Sequence, residues 1–111
     1  MDERGRRVGL NEAVFREVNE RIEELAEASG LTDQPLDLVC ECGDVSCTER
    51  ITMTRAEYEA IRSQPDTFAV YPGHEVEDVE EVVEKHAGYD VVRKRSGAAA
   101  ELAESTDPRS S

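Results

Sequence analysis

All three cysteines of this 111-residue chain fall in one short run, Leu36-Asp37-Leu38-Val39-Cys40-Glu41-Cys42-Gly43-Asp44-Val45-Ser46-Cys47. An odd thiol number argues against a purely disulfide framework. Thiolates clustered this closely suit a soft or borderline metal ion, and a structural zinc site takes four such ligands in a tetrahedron. The run supplies Cys40, Cys42 and Cys47, so the fourth ligand must come from elsewhere. His74 is the leading candidate, because Pro72-Gly73-His74 places an imidazole on a stiff turn. Asp44, close in sequence, and His86 are the other two candidates, and a water in the fourth position would leave an open site of the catalytic kind. The pattern with His74 is C-x-C-x4-C-x26-H. Two readings without metal stand beside it: three cysteines buried as small apolar side chains, or a redox disulfide from Cys40 or Cys42 to Cys47.

The elements that position these residues follow from the flanking patterns. In Leu36 to Cys42 the residues Leu36, Leu38, Cys40 and Cys42 share one face of an extended strand. Gly43 and Asp44 suit a tight turn. The chain returns through Cys47 into a second strand, Glu49 to Met53. Thr54 followed by Glu57 is a capping box, and Met53 with Tyr58 fits a hydrophobic staple, so a short helix starts there and stops before Pro65. Tyr58 and Ile61 form its expected buried face; Arg55, Glu59 and Arg62 form the wet one. Thr67 to Tyr71 reads as a third strand, rich in β-branched and aromatic residues. For residues 76–86 the valines fit either a helix or a hairpin with Val91-Val92; the hairpin is favoured, since valine is the better strand former.

Before the cysteines, Asn11 to Ser29 reads as a helix closed by Gly30. Val14, Phe15, Val18, Ile22, Leu25 and Ala26 fall on one face, the expected core side, and Glu17 with Arg21 forms an i,i+4 pair. Residues 1–10 are expected to be a mobile arm, 11–95 a single α+β domain, and 96–111 a mobile tail with at most a nascent helical turn. The fold expected is an N-terminal helix packed on a small, mainly antiparallel sheet, with a cysteine knuckle and a short second helix.

Composition limits the functions. Only 38% of residues are hydrophobic and 5% aromatic, which gives a thin core that a metal can staple. Twenty-six acidic against thirteen basic residues leave a formal charge of -13. Such a field disfavours nucleic acid and anionic membranes and attracts a protein partner with a basic surface. No apolar run approaches the roughly 20 residues of a membrane span, and no apolar signal region follows the charged N-terminus. A cytoplasmic setting is therefore expected, where thiols stay reduced. Arg50, Arg55 and Arg62 can be read as an anion site or as surface ion pairs, and Arg93-Lys94-Arg95 as the wet end of a strand. No phosphate loop, nucleophile elbow or metalloprotease helix is present.

Cys40-Glu41-Cys42-Gly43, Cys47, Glu57-Tyr58-Glu59, Pro72-Gly73-His74-Glu75 and Tyr89 to Lys94 together resemble a group of small, largely uncharacterised bacterial proteins. The resemblance covers residues 11–94. It implies a compact cytosolic domain and assigns no catalytic residue. The function expected is a zinc-stabilised binding or regulatory module rather than an enzyme. The alternatives are a thiol redox sensor that releases its metal on oxidation, and a metalloenzyme with an open zinc site.

Overall fold

The computed structural model describes residues 3–31 and 33–109. The chain runs α1 (Glu3–Ala28), β1 (Leu36–Val39), β2 (Arg50–Met53), α2 (Arg55–Arg62), β3 (Thr67–Val70), β4 (Glu80–Lys85), β5 (Asp90–Lys94) and α3 (Ala98–Ser105). This is an α+β fold. Its strands form two antiparallel sheets rather than one: β1-β2, and a three-stranded sheet in the order β3-β5-β4.

The local signals around the cysteines hold. Thr54 and Glu57 form the full capping box at α2, with Thr54 Oγ1 accepting from Glu57 N–H at 3.1 Å and the Thr54 N–H donating back to Glu57 Oε1 at 2.7 Å. Met53 and Tyr58 lie together in a core cluster with Leu36, Leu38, Ile51 and Ile61. The favoured hairpin forms, with Val82 opposite Val92 and a bulge between Val82 and Glu84. A second cluster gathers Cys40, Cys42, Phe68, Val70, Val92 and Ala103, so two of the cysteines are themselves part of the core.

The long helix departs from expectation in two ways. It begins at Glu3, so the described part of the expected arm, from residue 3 on, is helical, and Gly5, Val8 and Gly9 are buried. Its buried face is also largely polar. Glu12, Arg16, Asn19, Glu20 and Glu23 are buried, whereas Val14, Val18 and Leu25 of the expected core face are exposed; Ile22 and Ala26 of that face pack against the first cluster. The cause is long-range pairing. Lys94 of β5 donates to both Glu12 and Glu80, all three fully buried side chains. Arg62 donates to Glu20 at 2.9 Å and to Asp107. A buried charge is tolerated only when it is paired and hydrogen-bonded, and these partners of Glu12 and Glu20 lie 42 or more residues further along the chain.

The same pairings correct two further expectations. Arg62 is buried rather than on the wet side of α2, and Lys94 is buried rather than at a wet strand end. The tail contains α3, docked on α1 through Ala99 and Ala103. The approach is close: a Cβ added to Gly9 would lie 3.2 Å from Cδ1 of Leu102 and 3.4 Å from Cα of Ala99. Small residues allow that contact without a wide apolar stripe, which is why hydrophobic patterning gave no sign of it.

Candidate metal centre

The β1-β2 connection carries the cysteines. Strand pairing stops at Val39, but the alternation continues, and Leu36, Leu38, Cys40 and Cys42 are all buried. Cys40 N–H donates to Glu49 O at 3.2 Å, which holds the base of the loop closed. Asp44 then makes a local turn: its Oδ1 accepts from Ser46 N–H at 2.9 Å and Ser46 Oγ at 2.6 Å, and its carbonyl accepts from Cys47 N–H at 3.0 Å. That turn brings Cys47 back to the strand end.

His74 reaches the same point from the other sheet. The chain leaves β3 through Tyr71-Pro72-Gly73, with Gly73 at φ 89° and His74 N–H donating to Tyr71 O at 3.0 Å. Glycine adopts such a positive φ without the Cβ penalty. His74 Nδ1 lies 3.7 Å from Cys40 Sγ and 3.6 Å from Cys47 Sγ. All four ligand atoms of Cys40, Cys42, Cys47 and His74 lie within 4.8 Å of one another.

These separations suit one ion. With metal–sulfur bonds of about 2.3 Å and metal–nitrogen bonds of about 2.0–2.1 Å, a tetrahedron has S···N edges of about 3.6 Å and S···S edges of about 3.8 Å. The donor set, three sulfurs and one imidazole nitrogen, is that of a structural tetrahedral site. The other two candidates for the fourth ligand are engaged elsewhere. The Asp44 carboxylate holds Ser46, and His86 stacks on Tyr89 at 4.5 Å while its Nε2 lies 2.9 Å from Glu84 Oε1.

The thiols perturb one another strongly. The hydrogen bond from the Cys40 thiol draws Cys42 down to about 5, while that same interaction, with burial, pushes Cys40 far up; burial raises Cys47. Without a cation the cluster thus stabilises one thiolate and suppresses the others. A divalent ion reverses that balance, because a coordinating thiol is deprotonated outright. Backbone amides support the sulfurs: Tyr71 N–H donates to Cys40 Sγ at 3.0 Å.

Two residues that sequence patterning did not select tie this site to the fold. Glu41, between the paired cysteines, is fully buried. Its N–H donates to Ala69 O at 2.8 Å, and its Oε1 accepts from Ala69 N–H at 2.9 Å, which joins the loop to β3. Asn19 donates from Nδ2 to Val39 O at 2.9 Å and Glu41 Oε2 at 2.7 Å, and accepts from Val39 N–H at 2.9 Å, so it binds α1 to the end of β1 like a neighbouring strand. Burial raises the Glu41 carboxyl, against the Asn19 and Ala69 hydrogen bonds and the nearby Arg62 and Arg16 charges. Strand alternation places Glu41 on the face opposite the cysteines, but nothing local tells that this face is covered. The N-terminal turns of α1 close over the loop as well, with Asn11 Nδ2 donating to Gly43 O at 2.9 Å.

The arginines expected either as an anion site or as ion pairs are ion pairs: Arg50 with Asp37, Arg55 with Glu23 and Glu27, and Arg62 with Glu20 and Asp107. Among the described residues, no helix is long and apolar enough to cross a membrane. Comparison of the chain with known protein families, with characterised proteins and with solved structures gives no match.

The site therefore defines a Cys3His cluster able to bind a metal ion. It stands at the seam between the two sheets: β1-β2 supplies the sulfurs and the exit of β3 supplies the imidazole.

Proposed function

We propose that the protein is a zinc-stabilised binding module that acts through a protein partner with a basic surface. The observation that carries the reading is the convergence of Cys40, Cys42, Cys47 and His74 within 4.8 Å, drawn from two separate sheets. Zinc is the ion that a closed three-sulfur, one-imidazole tetrahedron suits best. Four protein ligands leave no position for substrate, which favours a structural role over catalysis. The partner reading rests on the charge of -13 and on exposed Glu77, Glu81 and Glu84 along one edge, on and before β4. Such a field steers a cationic surface into place.

Metal analysis of protein purified without added metal tests the first half. One zinc per chain is expected, falling sharply in His74→Ala. Absence of metal, with melting unchanged by chelator, would refute it. Affinity capture at rising salt tests the second half: the partner's yield should fall steeply, and a salt-insensitive yield contradicts steering.

One observation favours a second reading, a redox sensor. Cys47 is only partly buried, unlike Cys40 and Cys42, so it is the sulfur a small oxidant meets first. Two thiolates oxidised by one peroxide form one disulfide, the peroxide and two protons become two waters, and the metal loses two ligands. Peroxide should then release zinc, and a thiol reductant should restore binding. Zinc retained under peroxide rejects this reading.

A further inference from the structure

The side of α1 that faces away from the fold carries an aliphatic stripe. Leu10, Val14, Val18 and Leu25 are 37%, 61%, 39% and 66% exposed. At 100° per residue they fall within an arc of about 80°, and they extend along about 22 Å of helix. This is most of the apolar periodicity of α1, turned to solvent because its polar face is buried against the domain. A helix inverted in this way has a second face that requires a cover.

The charges beside the stripe specify the cover. Arg6 and Arg7 flank its N-terminal end, are exposed, and make no ion pair among the described residues. Glu17 and Glu24 flank its C-terminal half, each tied to exposed Arg21, at 3.3 and 3.7 Å. Exposed Glu3 and Arg21 also fall within the arc, and the balance is basic at one end and acidic toward the other. That pattern is complementary to itself when reversed.

We infer that α1 is the interface of an antiparallel homodimer, its stripe covered by the stripe of a second copy. A two-fold axis between Glu17 and Val18 sets Leu10 against Leu25 of the second copy. It brings Arg7 to about 6 Å and Arg6 to about 7.5 Å along the axis from the second copy's Glu24, and sets Arg21 against Val14. A parallel pair would instead set Arg6 and Arg7 against their own equivalents. The two-fold arrangement is the self-complementary contact that closed dimers use. Most of the acidic residues lie outside α1, and exposed charges more than about 8 Å apart are largely screened at physiological salt. The interface leaves the metal ligands untouched, so it stands or falls independently of the zinc reading.

Sedimentation equilibrium of the metal-loaded full chain at about 100 μM, near where a micromolar dimer saturates, tests this. The wild type should show twice the chain mass. Val18→Glu, beside the two-fold axis and facing Glu17 and Val18 of the second copy, should weaken the dimer at least about tenfold with metal content and circular dichroism unchanged. Arg7→Glu should also weaken it, and Arg7→Glu combined with Glu24→Arg in one chain should restore it. A monomeric wild type overturns the inference, even if it binds an added lysine-rich amphipathic peptide. So does a dimer that Val18→Glu leaves intact, or a charge reversal that restores nothing.

Discussion

Gly43→Ala probes the contact between α1 and the cysteine loop. A Cβ on Gly43 would lie 2.6 Å from Cγ1 of Val8, 3.2 Å from its Cβ and 3.3 Å from its Cγ2. The first distance is far inside van der Waals contact. Turning Val8 does not relieve it, since a β-branched side chain in a helix has one strongly preferred rotamer, and the Val8 Cβ is already tight. Either α1 withdraws or the loop that bears Cys42 shifts. Overpacking of this kind costs about 1–3 kcal/mol. For a domain of this size each kcal/mol moves Tm by about 4–8 °C, so the expected fall is roughly 5–20 °C. The assay is thermal unfolding of the metal-loaded protein by circular dichroism. Val8→Ala removes both offending methyl groups, so Val8→Ala with Gly43→Ala should be more stable than the two single effects predict, with a coupling of about 1 kcal/mol or more. A Gly43→Ala protein that melts like the wild type, or a pair that simply adds, would refute the packing of α1 on the loop.

Other perturbations have equally definite outcomes. Glu41→Leu leaves the Ala69 N–H and the Asn19 amide without their acceptor, at about 1–3 kcal/mol for each unpaired buried group; denaturant unfolding should show a loss of at least about 2 kcal/mol, and a neutral result would remove Glu41 from the tie between loop and β3. Lys94→Met strands the carboxylates of Glu12 and Glu80, and the loss should reach about 3–5 kcal/mol, as for a broken buried ion pair. Glu23 is lifted to about 7, first by burial and then by its contact with Glu59. An acid raised in the folded state costs stability as pH climbs from its unfolded value of about 4.5 through 7. Glu23→Gln should therefore gain on the wild type as pH rises from 5 to 8; an unchanging difference would show that Glu23 is not raised.

Local chemistry was legible in the sequence, and remote pairing was not. The capping box at Thr54, the hairpin around Val82 and Val92, and the alternation from Leu36 to Cys42 depend on neighbours within a few residues, and each formed. The choice of His74 rested on turn stiffness and ligand chemistry, which are also local, and the histidine stands beside the sulfurs. Periodicity misassigned the faces of α1 because it weighs hydrophobicity without knowing what waits opposite. Glu12 is buried because Lys94 is there, 82 residues away, and Glu20 because Arg62 and Arg109 are there. Burial alone would raise Glu20, yet those two arginines hold it below its ordinary value. The docking of α3 stayed hidden for a related reason. Its contact with α1 uses alanines and Gly9, whose small size matters more than their hydrophobicity.

X-ray absorption at the zinc edge on protein purified without added metal tests the central claim most directly. A Cys3His clasp predicts three sulfurs at about 2.3 Å and one nitrogen at about 2.0–2.1 Å, with the nitrogen lost in His74→Ala. An oxygen-rich shell, fewer than three sulfurs, or a protein that carries no zinc at all would contradict it.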